Sequence, residues 1–178
     1  MHALVIFESM FGNTRVIAEA IADGLSSGIE TELVEVGAAP TVIGDDVGLF
    51  VVGGPTHAFG MSRPGTRKSA AEQAGEGVVS EGIGQREWLD AVEGGSDRVG
   101  AAAFDTRIDK PQWLVGSAAR GADKRLRGLG FRVLSPSQSF YVAGTPGPLL
   151  DGEADRARRW GRELASEYLK DEQRRQVS

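Results

Sequence analysis

The stretch that decides the fold is FESMFGNTRVIAEAIADGL, residues 7–25. An apolar run of strand length, residues 3–7, leads into it, and a glycine with small polar residues follows. Apolar residues then recur at helical spacing, which predicts a buried strand, a tight turn and a helix. The predicted apolar face of that helix comprises Val16, Ile17, Ala20, Ile21, Gly24 and Leu25.

Strand and helix patterns alternate along the rest of the chain. Strands are predicted at residues 3–7, 30–36, 47–53, 99–104 and 131–142. Helical spacing recurs at residues 16–25, 85–92, 115–129 and 157–168. Pro136 is expected to mark a bulge or an edge, because proline cannot donate to a sheet ladder. The alternation predicts an α/β fold: a three-layer, doubly wound, five-stranded parallel sheet with helices on both faces.

Two segments depart from this pattern. Residues 62–84 are rich in Gly, Ser, Ala and Glu, and a loop of that length predicts a functional flap or disorder. Residues 171–178 are polar and are expected to fray. We therefore predict one domain over residues 1–170 and a polar C-terminal tail over 171–178.

Composition narrows the function classes. The net charge of −5 favours neither nucleic acid nor an anionic membrane, and it would suit a basic protein partner. The chain has no cysteine and two histidines, which excludes disulfides and is too few for a typical zinc site. No apolar stretch approaches about 20 residues and no charged leader is evident, so we expect no membrane span and a cytoplasmic location.

Three loops follow strands at the carboxyl edge of the predicted sheet, where α/β folds bind ligands. In the first, Gly12 permits a tight turn, Asn13 or Thr14 can cap the helix, and Ser9 adds a hydroxyl. Free N–H groups and the helix dipole then favour an anion, and phosphate suits this loop best. The loop has no lysine, so it is not a Walker-type loop. The alternative is an ordinary strand-to-helix turn with a good cap.

The second loop covers residues 53–62. Gly53 and Gly54 permit close backbone approach to a ligand, and Thr56 and His57 offer hydrogen bonds. Phe59 and Met61 offer apolar faces for a flat ring, although an aromatic here can equally pack inward.

The third loop covers residues 104–109. Asp105 and Thr106 are candidates for hydrogen bonds to a heterocycle, and Arg107 for an acidic group. The alternative is a solvated, capped turn.

The first loop, SMFGNT, resembles the phosphate loop of flavodoxins, whose pattern is Ser/Thr-x-Thr-Gly-x-Thr. The matching residues are Ser9, Gly12, Asn13 and Thr14. Phe11 stands where the pattern has threonine, so Met10-Phe11-Gly12 looks closer to the Ser-Met-Tyr-Gly of flavodoxin-like quinone reductases. Pro55-Thr56 and residues 59–62 are similar to the second flavin loop of those reductases.

The resemblance implies strand order 2-1-3-4-5 and a non-covalent FMN. Its phosphate would sit on the first loop, through Ser9, Met10, Phe11, Gly12, Asn13 and Thr14. Its ring would lie between the other two loops, beside Pro55, Thr56, His57, Phe59, Gly60, Phe104, Asp105, Thr106 and Arg107. Flavodoxins usually stack one or two aromatics on the ring, commonly a tyrosine in the third loop. Here the third loop has no aromatic after Phe104, and Phe59 or Trp113 would have to replace it.

Three functions follow from the resemblance. The first is a small FMN electron-transfer protein that works with a redox protein partner, either a reductase or an acceptor. The second is an NAD(P)H-dependent quinone reductase using FMN, and the third is a binding module that has kept the fold and lost the flavin. His57 would either change charge near neutral pH at the flavin edge or be an ordinary surface residue.

Overall fold

A twisted parallel sheet carries helices on both faces in the computed structural model, which describes residues 1–75, 77–93 and 95–177. The strands are β1 (His2–Phe7), β2 (Thr31–Glu35), β3 (Val47–His57), β4 (Gly60–Met61), β5 (Gly100–Ile108), β6 (Arg132–Val133) and β7 (Gln138–Val142). The helices are α1 (Asn13–Leu25), α2 (Pro64–Ala74), α3 (Gln85–Ala91), α4 (Gln112–Val115), α5 (Ala118–Gly128) and α6 (Glu153–Val177).

The strand order is β2-β1-β3-β5, with β6 and β7 both pairing in parallel with β5. Gly100 of β5 pairs with Arg132, and Phe104 of β5 pairs with Gln138. β6 and β7 are therefore two halves of the predicted fifth strand. The break between them contains Pro136, which has no N–H for a ladder. The predicted order 2-1-3-4-5 is confirmed, and the short β4 adds an antiparallel pairing to β3.

Both faces of the sheet are buried, which explains the continuous apolar run of β1. On one face, Val5 and Val51 pack against α1 and α6. On the other face, Ile6 and Val52 pack against α3 and α5. Packing on both faces holds the strands in place. The loops after β1, β3 and β5 therefore come together at the carboxyl edge of the sheet.

The predicted face of α1 is wrong at one position. Val16 is 44% exposed, whereas Ile17, Ile21 and Leu25 are fully buried. A period of 3.6 residues places Ile17 at the centre of the buried stripe and turns its neighbour Val16 toward solvent.

Residues 62–84 were expected to form a flap or to be disordered. In the structure, α2 occupies the first half of this segment and buries only Ala70. A helix with so little apolar face leaves no periodic signal in the sequence. Glu76 of this segment lies outside the described residues.

The polar residues after 170 continue α6 as far as Val177 rather than fraying. The side chain of Arg132 reaches Asp171 at 2.8 Å and Glu172 at 3.0 Å, which ties this turn to the sheet. Ser178, the last residue of the predicted tail, lies outside the described residues. Within the part of the chain that the structure describes, none of the helices has the length and apolarity needed to cross a bilayer.

Candidate functional site

A cleft opens where the loops after β1, β3 and β5 meet. Ten of the predicted site residues line it, together with Ile108, Val142 and Thr145, which the sequence did not indicate. The predicted residues that line it are Ser9, Met10, Phe11, Asn13, Thr14, Pro55, Thr56, His57, Thr106 and Arg107. The three additional residues come from the ends of β5 and β7 and from the loop after β7. That loop also reaches the first loop, because Asn13 Nδ2 donates to the carbonyl of Pro146 at 3.1 Å.

The first loop turns at Gly12, whose φ of +92° lies in the left-handed region that favours glycine. The buried Ser9 hydroxyl accepts the N–H of Gly12 at 3.1 Å and the N–H of Arg15 at 3.3 Å. Asn13 or Thr14 was expected to cap α1. The side chain that accepts hydrogen bonds at the start of this helix is instead Ser9, which binds the amides of Gly12 and Arg15. Because that oxygen accepts both bonds, the proton of the Ser9 hydroxyl remains available to a ligand.

Four other amides of this loop stay unpaired. Within the described ranges, the N–H groups of Met10, Phe11, Asn13 and Thr14 donate to no protein acceptor. Two of them belong to the first turn of α1, where the positive end of the helix dipole lies. Unpaired donors at a helix N-terminus form a site suited to phosphate.

The end of the 62–84 segment, which was predicted to be a functional flap or disordered, holds this loop in place. The N–H of Ser9 donates to the Ser80 hydroxyl at 3.0 Å, and the N–H of Ser80 donates to the carbonyl of Ser9 at 2.8 Å. The N–H of Val79 donates to the carbonyl of Met10 at 3.1 Å. Residues 79–80 thus hydrogen-bond to the backbone of the first loop, and Ser80 is buried there.

The second loop is a β-hairpin. β3 continues to His57, which pairs with Gly60, and the turn consists of Ala58 and Phe59. Both turn residues have positive φ, +43° and +73°, as a type I′ turn requires. Such angles are uncommon for residues other than glycine and store local strain. Gly60 lies in β4 and lines neither of the clefts described in this section.

The two adjacent glycines before this hairpin serve packing within the chain. A Cβ on Gly53 would overlap the ring of Phe104, and a Cβ on Gly54 would lie 2.7 Å from Oε1 of Gln85. Both positions are therefore filled by neighbouring side chains, not open to a ligand as the sequence had suggested.

Phe104 was predicted to contact the ring of a cofactor, but its side chain lies in the core. It is fully buried and meets Phe140 and Trp160 edge-on, with ring centroids 6.3 and 6.5 Å apart. Thr106 lies two residues further along β5, on the same side of the strand as Phe104, and it faces the cleft. Its hydroxyl lies 2.7 Å from the Thr14 hydroxyl. One of these two hydroxyls donates to the other, and the second proton remains free.

Asp105 also points away from the cleft and is fully buried. Its Oδ2 accepts hydrogen bonds from Thr56 Oγ1 at 3.1 Å, Ser117 Oγ at 2.6 Å and the N–H of Ala119 at 2.9 Å. The carboxylate therefore joins the hairpin to the start of α5 and positions Thr56. It does not offer a direct contact to a ligand in the cleft.

A second cleft continues from the first. The two share Thr56, His57, Arg107, Ile108 and Thr145. The remaining lining residues of the second cleft are Ala58, Phe59, Thr66, Ser69, Ala70, Gln73, Leu114 and Val115. Arg107 lies at the junction, where its Nη1 donates to the carbonyl of Lys110 at 2.8 Å and its guanidinium covers the ring of Tyr141.

The charges along both clefts have one sign. The lining residues include no aspartate or glutamate, and the ionisable ones are His57 and Arg107. Burial lowers the pKa of His57 below its usual 6.5, and the nearby Arg67 guanidinium lowers it further. His57 is therefore neutral at neutral pH, and Arg107 supplies the permanent charge.

A buried carboxyl group lies directly beside the first loop. Glu8 is fully buried, its Oε2 accepts the N–H of Gln85 at 2.8 Å, and its Oε1 has no partner among the described residues. Burial raises the pKa of Glu8 above 4.5, while hydrogen bonds from Ser62 and Gln85 and the charge of Arg67 oppose that rise. The ionised form is the costly one in this environment.

The variant Glu8→Gln should stabilise the protein near neutral pH. The pKa of the Glu8 carboxyl is raised in the folded state, so protonated Glu8 stabilises the fold fully below pH 4.5. That contribution is lost as the pH rises through the folded-state pKa. Glutamine keeps an acceptor for Gln85 and never ionises, so we expect a gain of about 1–2 kcal/mol at neutral pH. Urea unfolding at several pH values measures it. An equal gain in stability well below pH 4.5 would contradict the raised pKa of Glu8, because the carboxyl is protonated there in both states.

The fold and the cleft together define a doubly wound α/β protein with an anion-suited loop at the carboxyl edge of its sheet. The sequence model of the flavodoxin family matches residues 5–160. The chain belongs to the flavodoxin family. Membership implies a flavin cofactor, usually FMN, and a role in redox chemistry.

Solved structures show the same fold. A flavodoxin from the domain Archaea is 18% identical, covers 94% of this chain and 99% of its own, and superposes with a TM-score of 0.62. Flavodoxin 1 from Bacillus cereus is 18% identical, with 96% and 98% covered and a TM-score of 0.63. A WrbA-like flavodoxin from Agrobacterium tumefaciens is 15% identical, with 95% and 98% covered and a TM-score of 0.59. No curated protein matches the sequence significantly.

Proposed function

We propose that this protein binds FMN without a covalent bond and acts as an electron-transfer protein. The observation that carries the proposal is the set of unpaired amides at Met10, Phe11, Asn13 and Thr14, on a cleft without carboxylates. A doubly charged phosphate ester would satisfy those donors without the help of a cation. The expected site residues of the first loop would all take part in this cradle, with Gly12 supplying its turn.

Hydroxyl groups would complete the phosphate site. Ser9 keeps its proton free, and the Thr14–Thr106 pair has one proton to donate. Ser80 and Val79 would act indirectly by holding the backbone of Ser9 and Met10. These groups bind and orient, and the flavin itself supplies the redox chemistry when it is bound.

The ring of FMN would extend toward the hairpin and Arg107. Phe59 lines the second cleft, whereas Trp113 lines neither cleft, so Phe59 is the better substitute for the missing third-loop aromatic. Thr106 would contribute a hydroxyl and Asp105 would act from behind by positioning Thr56. With a lowered pKa, His57 would present an uncharged ring to the flavin at neutral pH.

A second candidate is the NAD(P)H-dependent quinone reductase. The observation in its favour is the second cleft, which joins the first and has apolar side chains in its lining, among them Phe59, Leu114 and Val115. A small substrate bound there would lie beside the flavin. The carrier remains the first choice because electron transfer needs no catalytic side chain, and no acid–base constellation is evident among the described residues that line the clefts.

Reconstitution tests the proposal. Purified protein is incubated with excess FMN, dialysed, and examined by visible absorption and flavin fluorescence, then mixed with NADPH and a quinone. We expect one tightly held FMN and little turnover without a second protein. Rapid NADPH oxidation would favour the reductase. A colourless protein after dialysis would overturn both and favour a flavin-free binding module.

A further inference from the structure

The mouth of the second cleft carries unusually exposed apolar side chains. Trp113 is 82% exposed, Phe59 is 69% exposed and Leu114 is 46% exposed. The segments that carry them are adjacent, because Phe59 forms an isolated parallel bridge with Gly116. A Cβ on Gly116 would overlap the backbone of Phe59, so the two segments touch closely. Large aromatic side chains left in water are typical of surfaces that contact a partner.

Phe59 gains little from its position within the monomer. Its backbone is held at a φ of +73°, and its side chain is mostly in solvent. Strain that no internal packing offsets is commonly kept at functional surfaces. The hairpin tip thus presents an aromatic ring outward at a cost in stability.

The charge around this apolar patch is opposite to that of the whole chain. The chain has 20 Lys and Arg against 25 Asp and Glu. The two segments that border the patch, residues 56–75 and 107–120, carry six basic and two acidic residues. The basic ones are Arg63, Arg67, Lys68, Arg107, Lys110 and Arg120.

One of these basic residues forms an ion pair, and among the described residues the other five have no carboxylate partner within 4.0 Å. Arg67 forms two hydrogen bonds with the carboxylate of Glu87, at 3.1 and 3.2 Å. Arg63, Lys68 and Lys110 are exposed. The two acidic residues of these segments, Glu72 and Asp109, are exposed as well. With Arg67 paired, five basic residues stand against these two acidic ones, so the segments that border the patch carry a net positive charge.

We infer that this patch is the docking surface for an acidic electron-transfer protein. The inference rests on the proposed function, because the patch borders the cleft in which the flavin ring would lie. Phe59, Trp113 and Leu114 would form the apolar centre of the contact, and Arg63, Lys68 and Lys110 would form its basic rim. Complementary charge would steer an acidic partner to this edge. A basic partner, which the net charge would suit, would be repelled here.

The local field can be measured without any flavin. Trp88 and Trp160 are 0% and 6% exposed, so collisional quenching of tryptophan fluorescence reports mainly on Trp113. We expect iodide to quench the apoprotein more effectively than caesium, each normalised to free N-acetyltryptophanamide. The variant Lys110→Glu should reduce the iodide-to-caesium ratio about twofold or more. Arg162→Glu, the same charge change on the exposed side of α6, should leave the ratio unchanged. Caesium quenching that equals or exceeds iodide quenching would overturn the positive surface.

Partner choice is tested on the FMN-loaded protein with two probe proteins. One electron passes from the cluster of a reduced, acidic plant-type ferredoxin to the oxidised flavin. Separately, one electron passes from the flavin, reduced beforehand with dithionite, to oxidised, basic cytochrome c. We expect the ferredoxin rate to fall about tenfold or more with added salt and in Lys110→Glu, but not in Arg162→Glu.

The outcomes separate this inference from the proposed function. Failure to retain FMN, with iodide still preferred at Trp113, would overturn the electron-transfer role and the partner assignment but not the basic surface. Retained FMN with a cytochrome c rate that falls with added salt, and a ferredoxin rate that does not, would overturn the acidic partner alone. In the quenching experiment, protection of Trp113 from iodide by NADPH but not by ferredoxin would assign the patch to a nucleotide instead of a protein partner.

Discussion

Riboflavin is expected to bind the apoprotein at least about 100-fold more weakly than FMN, because it lacks the phosphate for the first loop. Hydrogen bonds to a charged group are each worth about 1.5–3 kcal/mol. The loop offers four unpaired amides, at Met10, Phe11, Asn13 and Thr14, with two hydroxyl protons beside them. Quenching of flavin fluorescence on titration measures both affinities.

The protein side of this contact is tested by Thr14→Val. The variant removes a hydroxyl that lies in the cleft and pairs with Thr106. We expect FMN affinity to fall roughly tenfold while riboflavin affinity changes little. Ser26→Ala, at the far end of α1, removes a hydroxyl that bonds only within the helix and serves as the control. Equal affinities for the two flavins in the native protein would show that the phosphate does not bind this loop.

Gly161→Ala should destabilise the fold by about 3 kcal/mol or more, the second large effect we expect. α1 and α6 cross so closely at Gly24 and Gly161 that a Cβ on Gly161 would overlap the carbonyl of Ile21 and lie 3.1 Å from the Cα of Gly24. The obstacle is backbone and cannot rotate away, so the helices must separate and loosen the core on that face of the sheet. Urea unfolding followed by circular dichroism measures the loss.

The matched control is Gly128→Ala, at the last residue of α5. Nothing lies within 4 Å of the Cβ that would be added there. Alanine favours helix over glycine by up to about 1 kcal/mol, so this variant should be neutral or slightly more stable. A loss below about 1 kcal/mol for Gly161→Ala would mean that the two helices do not pack this closely in solution.

The sequence determined the main architecture because the signals involved are local. A continuous apolar run marked β1, helical spacing marked α1, and both are set by how a chain buries apolar residues with its own periodicity. Gly12 and the small polar residues beside it indicated the anion loop for the same reason. Pro136 was predicted to mark a bulge or an edge, and the last strand is interrupted there, since the absence of an N–H is a property of the residue itself.

Only the tertiary structure decided which side chains of the third loop face the cleft. Phe104 and Asp105 lie in a strand whose two faces are both buried, so the polarity of the sequence cannot tell inside from outside. The hairpin at Ala58 and Phe59 was hidden because its turn lacks the glycine or asparagine that usually marks positive φ.

The contacts that complete the site are also non-local. Ser80 meets Ser9 across 71 residues of chain, and Ile108, Val142 and Thr145 meet the first loop only through the pairing of β5 and β7. No periodicity encodes such contacts. They exist because the sheet brings the ends of distant strands to one edge, and that placement follows from the packing of the whole chain.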